Sequence, residues 1–267
     1  MIKHDINGLS LWEYGENNLL TVIFVHAFPL SSEMWKHQID SLSGKFRLIV
    51  YDIRGFGASD YGDGHFTIDS HARDLLQIAD KLALGRVVAC GISMGGYILL
   101  RALEISQAKF HASILVDTKS EADNNPAKLK RAEQIAMIKS GNRNEFTETF
   151  IRTALSEKSY ENNPELVNEL RRIISAQKDE AICGALMTLA ARTDTTDSLE
   201  KIDIQLLIIS GAEDKLVPPE YSRILYGKTR NSKLVLIPET GHFPNMENPV
   251  EFNKVVESYL DDLVVSV

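Results

Sequence analysis

Ser93 is the central residue of a G-x-S-x-G run over residues 91–95, directly after the apolar stretch 86–90. The apolar stretch predicts a buried strand, and residues 96–103 predict a helix. At such a junction the chain must turn sharply, which strains the serine backbone and projects its hydroxyl above the sheet. The alternative is a plain turn whose serine only caps the helix. The two glycines and the flanking elements favour a nucleophilic serine.

A serine nucleophile needs a base, and the base needs an acid that orients it. Asp214 and His242 each follow an apolar strand in the C-terminal part of the chain. Because the carboxyl ends of parallel strands meet at one edge of a sheet, Ser93, Asp214 and His242 are predicted to converge there. Asp117, at the end of an earlier strand, is the main alternative acid, and Glu213 is a weaker one.

Five of the other six histidines are poorer candidates for the base, and the sixth, His26, belongs to a loop motif described below. One lies near the N-terminus, two lie on predicted helices, one lies in a glycine-rich loop and one precedes a predicted strand: His4, His37 and His71, His65, and His111, in that order. His242 is therefore the predicted base.

The elements around these residues alternate between strands and helices. Asn7-Gly8 predicts a hairpin, because this dipeptide favours the two-residue turn that joins antiparallel strands. Further strands are predicted at 20–26, 47–52, 86–91, 113–117, 205–210 and 233–237. Helices are predicted at 68–82 with Thr67 as its cap, and at 94–105, 219–226 and 249–263. Such alternation predicts a mostly parallel sheet with helices on both faces.

The alternation stops between residues 120 and 199. This stretch, between the sixth and seventh strands, predicts only helices, at 126–139, 144–155, 164–177 and 180–191. Several of its apolar side chains could belong either to a core or to a pocket wall, with core the more common role: Met137, Phe146, Phe150 and Met187.

The composition is that of an ordinary globular protein, with 44% apolar and 25% charged residues among 267. The net charge of −8 argues against nucleic acid and anionic membranes as partners. No apolar run reaches the length of a membrane span and no signal-peptide core is present, so a cytoplasmic protein is predicted. Cys90 and Cys183 suggest no disulfide framework, and no zinc-spaced cluster or phosphate-binding loop is visible. No metal or cofactor is therefore predicted, and the oligomeric state stays open.

Four motifs occur in the order found in the α/β-hydrolase fold superfamily. The run 25–29, Val-His-Ala-Phe-Pro, resembles the H-G-x-P turn of that family, and the run 51–59 resembles its D-x-R-G-x-G-x-S loop. Residues 211–214 and 241–242 resemble its acid and base loops. Small carboxylesterases and 3-oxoadipate enol-lactonase-like hydrolases look most similar. The resemblance implies an α/β-hydrolase fold with a mostly parallel eight-stranded sheet flanked by helices.

In that family a helical cap, or lid, is inserted between the sixth and seventh strands. The resemblance therefore implies a core domain formed by residues 1–119 and 200–267 and a cap domain formed by residues 120–199. A cap excludes water and shapes the pocket. The alternative is an ordinary helical excursion that packs elsewhere.

By the same resemblance, the backbone N–H groups of Phe28 and Met94 would form an oxyanion hole. Ala27 stands where the family usually has glycine, and alanine would be strained there if the position needs a positive φ. Four polar residues of the two adjoining loops are interpreted as scaffolding rather than as chemical groups: His26, Asp52, Arg54 and Ser59.

The predicted function is cleavage of a small carboxylic ester or lactone through an acyl-enzyme on Ser93, with His242 as the base and Asp214 as the orienting acid. Thioester cleavage, carbon–carbon bond hydrolysis and perhydrolysis use the same triad and stay open. A small-ligand receptor or signalling module with incidental hydrolysis is a further alternative. An acidic enol-lactone would need a cationic clamp, and charged cap residues are more often solvated. The candidates for such a clamp are Arg131, Arg152 and Arg192.

Overall fold

The computed structural model describes residues 1–15, 20–64 and 66–265, and its strands form one eight-stranded sheet. The strands are β1 (Ile2–Ile6), β2 (Leu9–Tyr14), β3 (Thr21–Val25), β4 (Arg47–Tyr51), β5 (Val87–Ile92), β6 (Phe110–Val116), β7 (Gln205–Gly211) and β8 (Ser232–Ile237). Their order in the sheet is β1-β2-β4-β3-β5-β6-β7-β8. β2 pairs antiparallel with both β1 and β4, and all other pairs are parallel. The predicted mostly parallel sheet of eight strands is confirmed.

Helices flank the sheet and fill the connection between β6 and β7. They are α1 (Lys36–Leu42), α2 (Ile68–Lys81), α3 (Met94–Ser106), α4 (Asn125–Lys139), α5 (Arg143–Ala154), α6 (Glu157–Asn162), α7 (Pro164–Ser175), α8 (Asp179–Ala191), α9 (Pro219–Lys228), α10 (Pro244–Glu247) and α11 (Pro249–Val265). Short 3-10 turns lie at Ser32–Trp35, Gln107–Lys109 and Thr196–Lys201. None of the helices that the structure describes is long and apolar enough to cross a membrane.

The core consists of two apolar clusters, one on each face of the sheet. Successive side chains of a strand point to opposite faces. Accordingly, Ile23 and Val25 of β3 belong to the cluster that includes residues of α2 and α3, whereas Val22 and Phe24 belong to the cluster that includes residues of α1 and α11. The central strands read as continuous apolar runs because both of their faces are covered.

Two local signals of the sequence have the predicted geometry. Asn7 and Gly8, between β1 and β2, have φ values of 54° and 80°, as the turn of a tight hairpin requires. The Thr67 side chain accepts the Ser70 N–H at 3.0 Å, and Thr67 N–H donates to the Ser70 hydroxyl at 3.0 Å. This reciprocal pair fixes the start of α2.

Some predicted element bounds are wrong. β6 begins at Phe110, so His111, expected before the strand, lies within it. The register is irregular there: Val87 pairs with Phe110 and Val88 pairs with Ala112, so His111 has no pairing residue on β5. α6 was not predicted, because its six residues carry no apolar repeat and its start depends on a local cap from Ser156. The glycine-rich loop position His65 lies outside the described residues.

Residues 120–199, all of which the structure describes, contain helices and no strand. Of the apolar residues singled out there, Phe146 is buried, whereas Phe150 and Met137 are partly buried against the core. Met187 is 62% exposed, so it belongs to neither core nor pocket. That this segment is a cap domain, separate from a core of 1–119 and 200–267, stays a prediction.

The stability of the fold is expected to depend on the protonation of His71. Burial, followed by the charge of Arg54, lowers the pKa of the His71 imidazole to about 3, against about 6.5 in an unfolded chain. Between these two pKa values the unfolded state binds a proton at His71 and the folded state does not. The free energy of unfolding therefore falls as pH drops from about 6.5 toward 3, by up to about 1.4 kcal/mol per pH unit. Below pH 6.5, His71→Leu should lose stability less steeply than the wild type.

Urea unfolding at pH 7.5 and pH 5 measures this difference directly. The wild type should lose about 2 kcal/mol more over this interval than the variant does. His26 is also buried with a lowered pKa and stays in both proteins, so the slope should shrink rather than vanish. Equal losses of unfolding free energy in the two proteins would show that His71 does not cause the loss of stability at low pH.

Candidate active site

Ser93 lies between the end of β5 and the start of α3 in a backbone conformation that non-glycine residues rarely adopt. Its φ is 54° and its ψ is −115°. The Ser93 N–H donates to the Val116 carbonyl at 2.9 Å, and the Thr118 hydroxyl donates to the Ser93 carbonyl at 2.9 Å. These bonds hold the strained turn in place. The side chain makes no helix-cap hydrogen bond, so the alternative of a simple capping serine does not hold.

The two outer glycines of the G-x-S-x-G run are required by close backbone approaches. A Cβ at Gly91 would clash with the carbonyl oxygen of Gly95. A Cβ at Gly95 would clash with the carbonyl oxygen of Val25, at the end of β3. The turn can therefore pack against the neighbouring chain only with glycine at both positions.

Ser93, His242 and Asp214 form one hydrogen-bonded chain. The distance from Ser93 Oγ to His242 Nε2 is 2.8 Å, and the distance from His242 Nδ1 to Asp214 Oδ2 is 2.7 Å. The other oxygen of Asp214 accepts the N–H groups of Leu216 and Val217, at 2.7 and 3.0 Å. Asp214 and His242 are buried and Ser93 is partly exposed; Ser93 and His242 line the pocket, and Asp214 lies behind them.

Asp117, the alternative acid, lies next to Asp214 at the end of β6 and is fully buried. Its Oδ1 accepts the Gly211 N–H at 2.8 Å and the Ser210 hydroxyl at 3.1 Å. Burial raises the pKa of Asp117 well above its usual range, and the charge of Asp214 raises it further. Two adjacent buried carboxyl groups cannot both ionise. The raised pKa favours the protonated form of Asp117, and it is Asp214 that contacts His242. The weaker alternative, Glu213, is exposed and takes no part.

Asp117, Asp214 and His242 together have the composition of a metal site. One ligand atom each from Asp117, Asp214 and His242 lie within 4.8 Å of one another. A bound ion stands at least about 2 Å from each of its ligands. The 2.7 Å between His242 Nδ1 and Asp214 Oδ2 is a hydrogen-bond distance that leaves no space for an ion between them. The geometry favours a hydrogen-bonded acid–base pair.

Glu247, which the sequence reasoning missed, organises the loop that carries His242. One of its carboxylate oxygens accepts the N–H groups of Gly241 and Phe243, at 2.9 and 3.1 Å. The other accepts the N–H of Ser156 at 3.0 Å, and the His242 N–H donates to the Ala154 carbonyl at 2.7 Å. The available signal was the position of Glu247 four residues after Phe243, one helical turn away from the N–H at the start of the helix.

The loop between β3 and the 3-10 turn presents the Phe28 amide, and α3 presents the Met94 amide. Met94 is the first residue of its helix, so its N–H has no partner inside the helix. Among the described residues, neither amide donates a hydrogen bond to another group. Ala27 is buried and its φ is not positive, so alanine is not strained where the family usually has glycine.

The residues interpreted as scaffolding connect these loops through hydrogen bonds. The Ile53 N–H donates to His26 Nε2 at 2.9 Å, so His26 Nδ1 carries the proton and donates to the Ala27 carbonyl at 2.9 Å. Both ring nitrogens of His26 are therefore used by the backbone. Further links are made by both oxygens of Asp52, by the two-pronged Arg54–Asp74 pair and by the Ser59 hydroxyl.

A cavity of about 180 Å³ opens beside Ser93 and His242. Phe28 and Phe150 form part of its wall, with ring centroids 6.1 Å apart, so residues of both the sheet loops and the helical segment enclose it. The candidate clamp residues differ from one another: Arg131 lines the cavity, Arg152 is partly exposed and pairs with Glu157, and Arg192 is buried. Charged side chains of this segment were expected to face solvent, and this expectation is wrong for Arg192, whose side chain is 2% exposed.

Comparisons with known proteins agree with this fold. A family model described as alpha/beta hydrolase fold matches residues 21–249. The chain is 27% identical over 256 residues to 3-oxoadipate enol-lactonase 2 of Acinetobacter baylyi, covering 95% of this chain and 93% of that protein.

Solved structures superpose closely on the chain. A thermophilic esterase from Thermogutta terrifontis, solved with malate bound, is 31% identical with a TM-score of 0.91, over 96% of this chain and 93% of that one. The enol-lactonase from Burkholderia xenovorans has a TM-score of 0.89 at 22% identity, over 97% of this chain and 100% of that one. The second likeness concerns the fold alone.

Proposed function

The chain belongs to the α/β-hydrolase fold family, and from this premise we propose that it is a serine hydrolase that cleaves a small carboxylic ester, lactone or thioester. The observation that carries the proposal is the hydrogen-bonded chain from Ser93 through His242 to Asp214. The strained backbone of Ser93 and the cavity beside it add support. The names of two relatives, an enol-lactonase and an esterase, favour an ester or a lactone over other acyl compounds.

In the proposed mechanism, the Ser93 oxygen attacks the carbonyl carbon while His242 Nε2 takes the serine proton. The carbonyl electrons move to its oxygen, which the N–H groups of Phe28 and Met94 stabilise. Collapse of this intermediate expels the alcohol, which receives the proton from His242 and leaves an acyl group on Ser93. A water activated by His242 then releases the acid. Asp214 holds the proton on Nδ1 throughout and stabilises the charged imidazole.

The proposal includes a cap. Residues 120–199 would cover the site, and residues 1–119 and 200–267 would form the core that carries the triad. Cap residue Phe150 packs on core residue Phe28 beside the cavity, and the Ala154 carbonyl accepts the His242 N–H. A cap placed in this way would exclude water from the acyl-enzyme and limit the size of the substrate.

Multiple turnover of simple substrates tests this function. On a panel of short-chain p-nitrophenyl esters and small lactones, the protein should release product repeatedly, with kcat of about 1–1000 per second on a good substrate. Because the mechanism needs only side chains and water, excess EDTA and dialysis should leave the rate unchanged. Binding without repeated turnover would favour a receptor. Loss of activity in EDTA that a specific metal restores would contradict the serine mechanism.

A further inference from the structure

The cavity beside Ser93 carries an excess of positive charge. Its wall includes Lys119, Lys130 and Arg131, and the acidic residue among the described lining residues is Asp123. Three cations therefore surround a small cavity that has one carboxylate. Lys130 is exposed, but Lys119 and Arg131 are half-buried. Because a half-buried charge is costly without a partner, the negative charge that compensates these two cations is informative.

Asp123 cannot supply that charge, because arginines already occupy both of its oxygens. Arg131 Nε lies 3.2 Å from Asp123 Oδ2, and Arg192 Nη2 lies 3.0 Å from Asp123 Oδ1. The side chains of Asp123 and Arg192 are each 2% exposed. The Arg192 guanidinium also stacks over the ring of Tyr97, 4.1 Å from its centroid. One carboxylate faces two guanidinium groups, so this cluster is itself net positive.

Lys119 adds a further positive charge near the nucleophile, which the carboxylates of Asp123 and Glu121 offset only in part. It directly follows Thr118, whose hydroxyl binds the Ser93 carbonyl. Its Nζ lies 4.7 Å from the centroid of the Tyr221 ring, and no carboxylate of the described residues lies within ion-pair distance of it. Burial, and then the charge of Arg192, lowers the pKa of Lys119, although Asp123 and Glu121 partly oppose this shift. An anion in the cavity would stabilise the charged form of Lys119 and so oppose the lowering of its pKa.

We propose that Lys119, together with Arg131, binds a carboxylate of the substrate, and that the preferred substrates are small esters or lactones that carry this negative charge. The inference rests on the proposed function, since it names the substrate class for the same site. Lysine and arginine are the side chains that form strong charge-assisted hydrogen bonds to carboxylates. A carboxylate is also small enough for a cavity of about 180 Å³.

Two pairs of isosteric substrates test the preference. In one pair the acyl part differs, p-nitrophenyl hemisuccinate against p-nitrophenyl isocaproate; in the other the alcohol part differs, p-acetoxybenzoate against p-acetoxybenzamide. In at least one pair the anionic member should have a kcat/KM about tenfold or more above its neutral partner. The preference should weaken as salt is added, because salt screens exposed charges. If the neutral member is preferred in both pairs, the inference is overturned, while turnover of the neutral esters still supports the hydrolase.

Variants locate the effect. Lys119→Met keeps the length of the side chain and removes its charge, and it should lower the anionic-to-neutral ratio of kcat/KM by about 10- to 100-fold. Lys119→Arg should keep most of the preference. Lys128→Met is the matched control, because Lys128 is exposed on the same helix as Arg131 and changes the net charge equally without lining the cavity. Equal ratios in Lys119→Met and Lys128→Met would overturn the assignment.

Calorimetric titration with succinate provides a measurement that needs no turnover. Succinate should bind to the wild type and to Lys128→Met with similar affinity, and at least about tenfold more weakly to Lys119→Met. This result would support the carboxylate site even if every ester proved inert, in which case only the hydrolase proposal would fail. Absent binding, or equal binding to all three proteins, would overturn the site.

Discussion

Replacing Ser93 with alanine is expected to lower kcat for p-nitrophenyl acetate by about a millionfold. The variant loses the attacking oxygen, and His242 then has no serine proton to accept. The fold should persist, because alanine meets the same positive φ as serine and the bonds that hold the turn are made by backbone atoms of residue 93. Stopped-flow or steady-state release of nitrophenolate measures the rate, and urea unfolding checks that stability is kept.

A fluorophosphonate probe gives a second readout of the same prediction. It should label Ser93 in the wild type and nothing in Ser93→Ala, because only this hydroxyl contacts a histidine base among the described residues. Ser222→Ala is a matched control: the Ser222 hydroxyl is also buried, makes no hydrogen bond with the described residues, and lies on α9. Labelling of a different serine, or substantial activity in Ser93→Ala, would show that the nucleophile lies elsewhere.

The parts of the fold and of the site that depend on local sequence could be predicted. A G-x-S-x-G run between an apolar strand and a helix leaves few ways to turn, and Ser93 has the strained backbone that this turn requires. The central strands were evident because both of their faces are apolar, and the Asn7-Gly8 turn because both residues need a positive φ. In each case a few neighbouring residues determine the conformation.

The parts that depend on distant partners could not be predicted. Arg192 is separated from Asp123 by 69 residues, and nothing near it in the sequence shows that a carboxylate compensates its burial. Glu247 also accepts the N–H of Ser156, which is 91 residues away, only because the helical segment lies beside the loop that carries His242. The position of Lys119 could not be predicted for the same reason, since it lies on the cavity wall together with residues of α4, α5 and α8 that are distant from it or separated from it by a loop.

Asp214→Asn is expected to lower kcat by about ten thousandfold. The amide can place an N–H toward His242 Nδ1, which favours the tautomer whose Nε2 carries a proton and cannot accept the one from Ser93. The structure also uses Asp214 Oδ1 as an acceptor for two backbone N–H groups, and the asparagine oxygen can keep those bonds. The loop should therefore keep its shape, so that the loss falls on kcat rather than on stability. Glu213→Gln, at the exposed neighbouring position, is the matched control and should change kcat less than twofold or so.

Asp117→Asn separates the two buried acids. Asp117 is expected to be neutral already, so an amide preserves its charge, its acceptor for the Gly211 N–H and a donor toward Asp214. The kcat of Asp117→Asn should fall by less than about tenfold, a small part of the Asp214→Asn effect. A reversed order of effects would make Asp117 the orienting acid.

The double variant, Asp117→Asn with Asp214→Asn, tests whether Asp117 can replace Asp214. Ligand atoms of Asp117, Asp214 and His242 lie within 4.8 Å of one another. Once the charge of Asp214 is gone, Asp117 can therefore ionise and support residual activity. In that case the double variant should be slower than Asp214→Asn alone, whereas equal rates would show that Asp117 only fills space behind the triad.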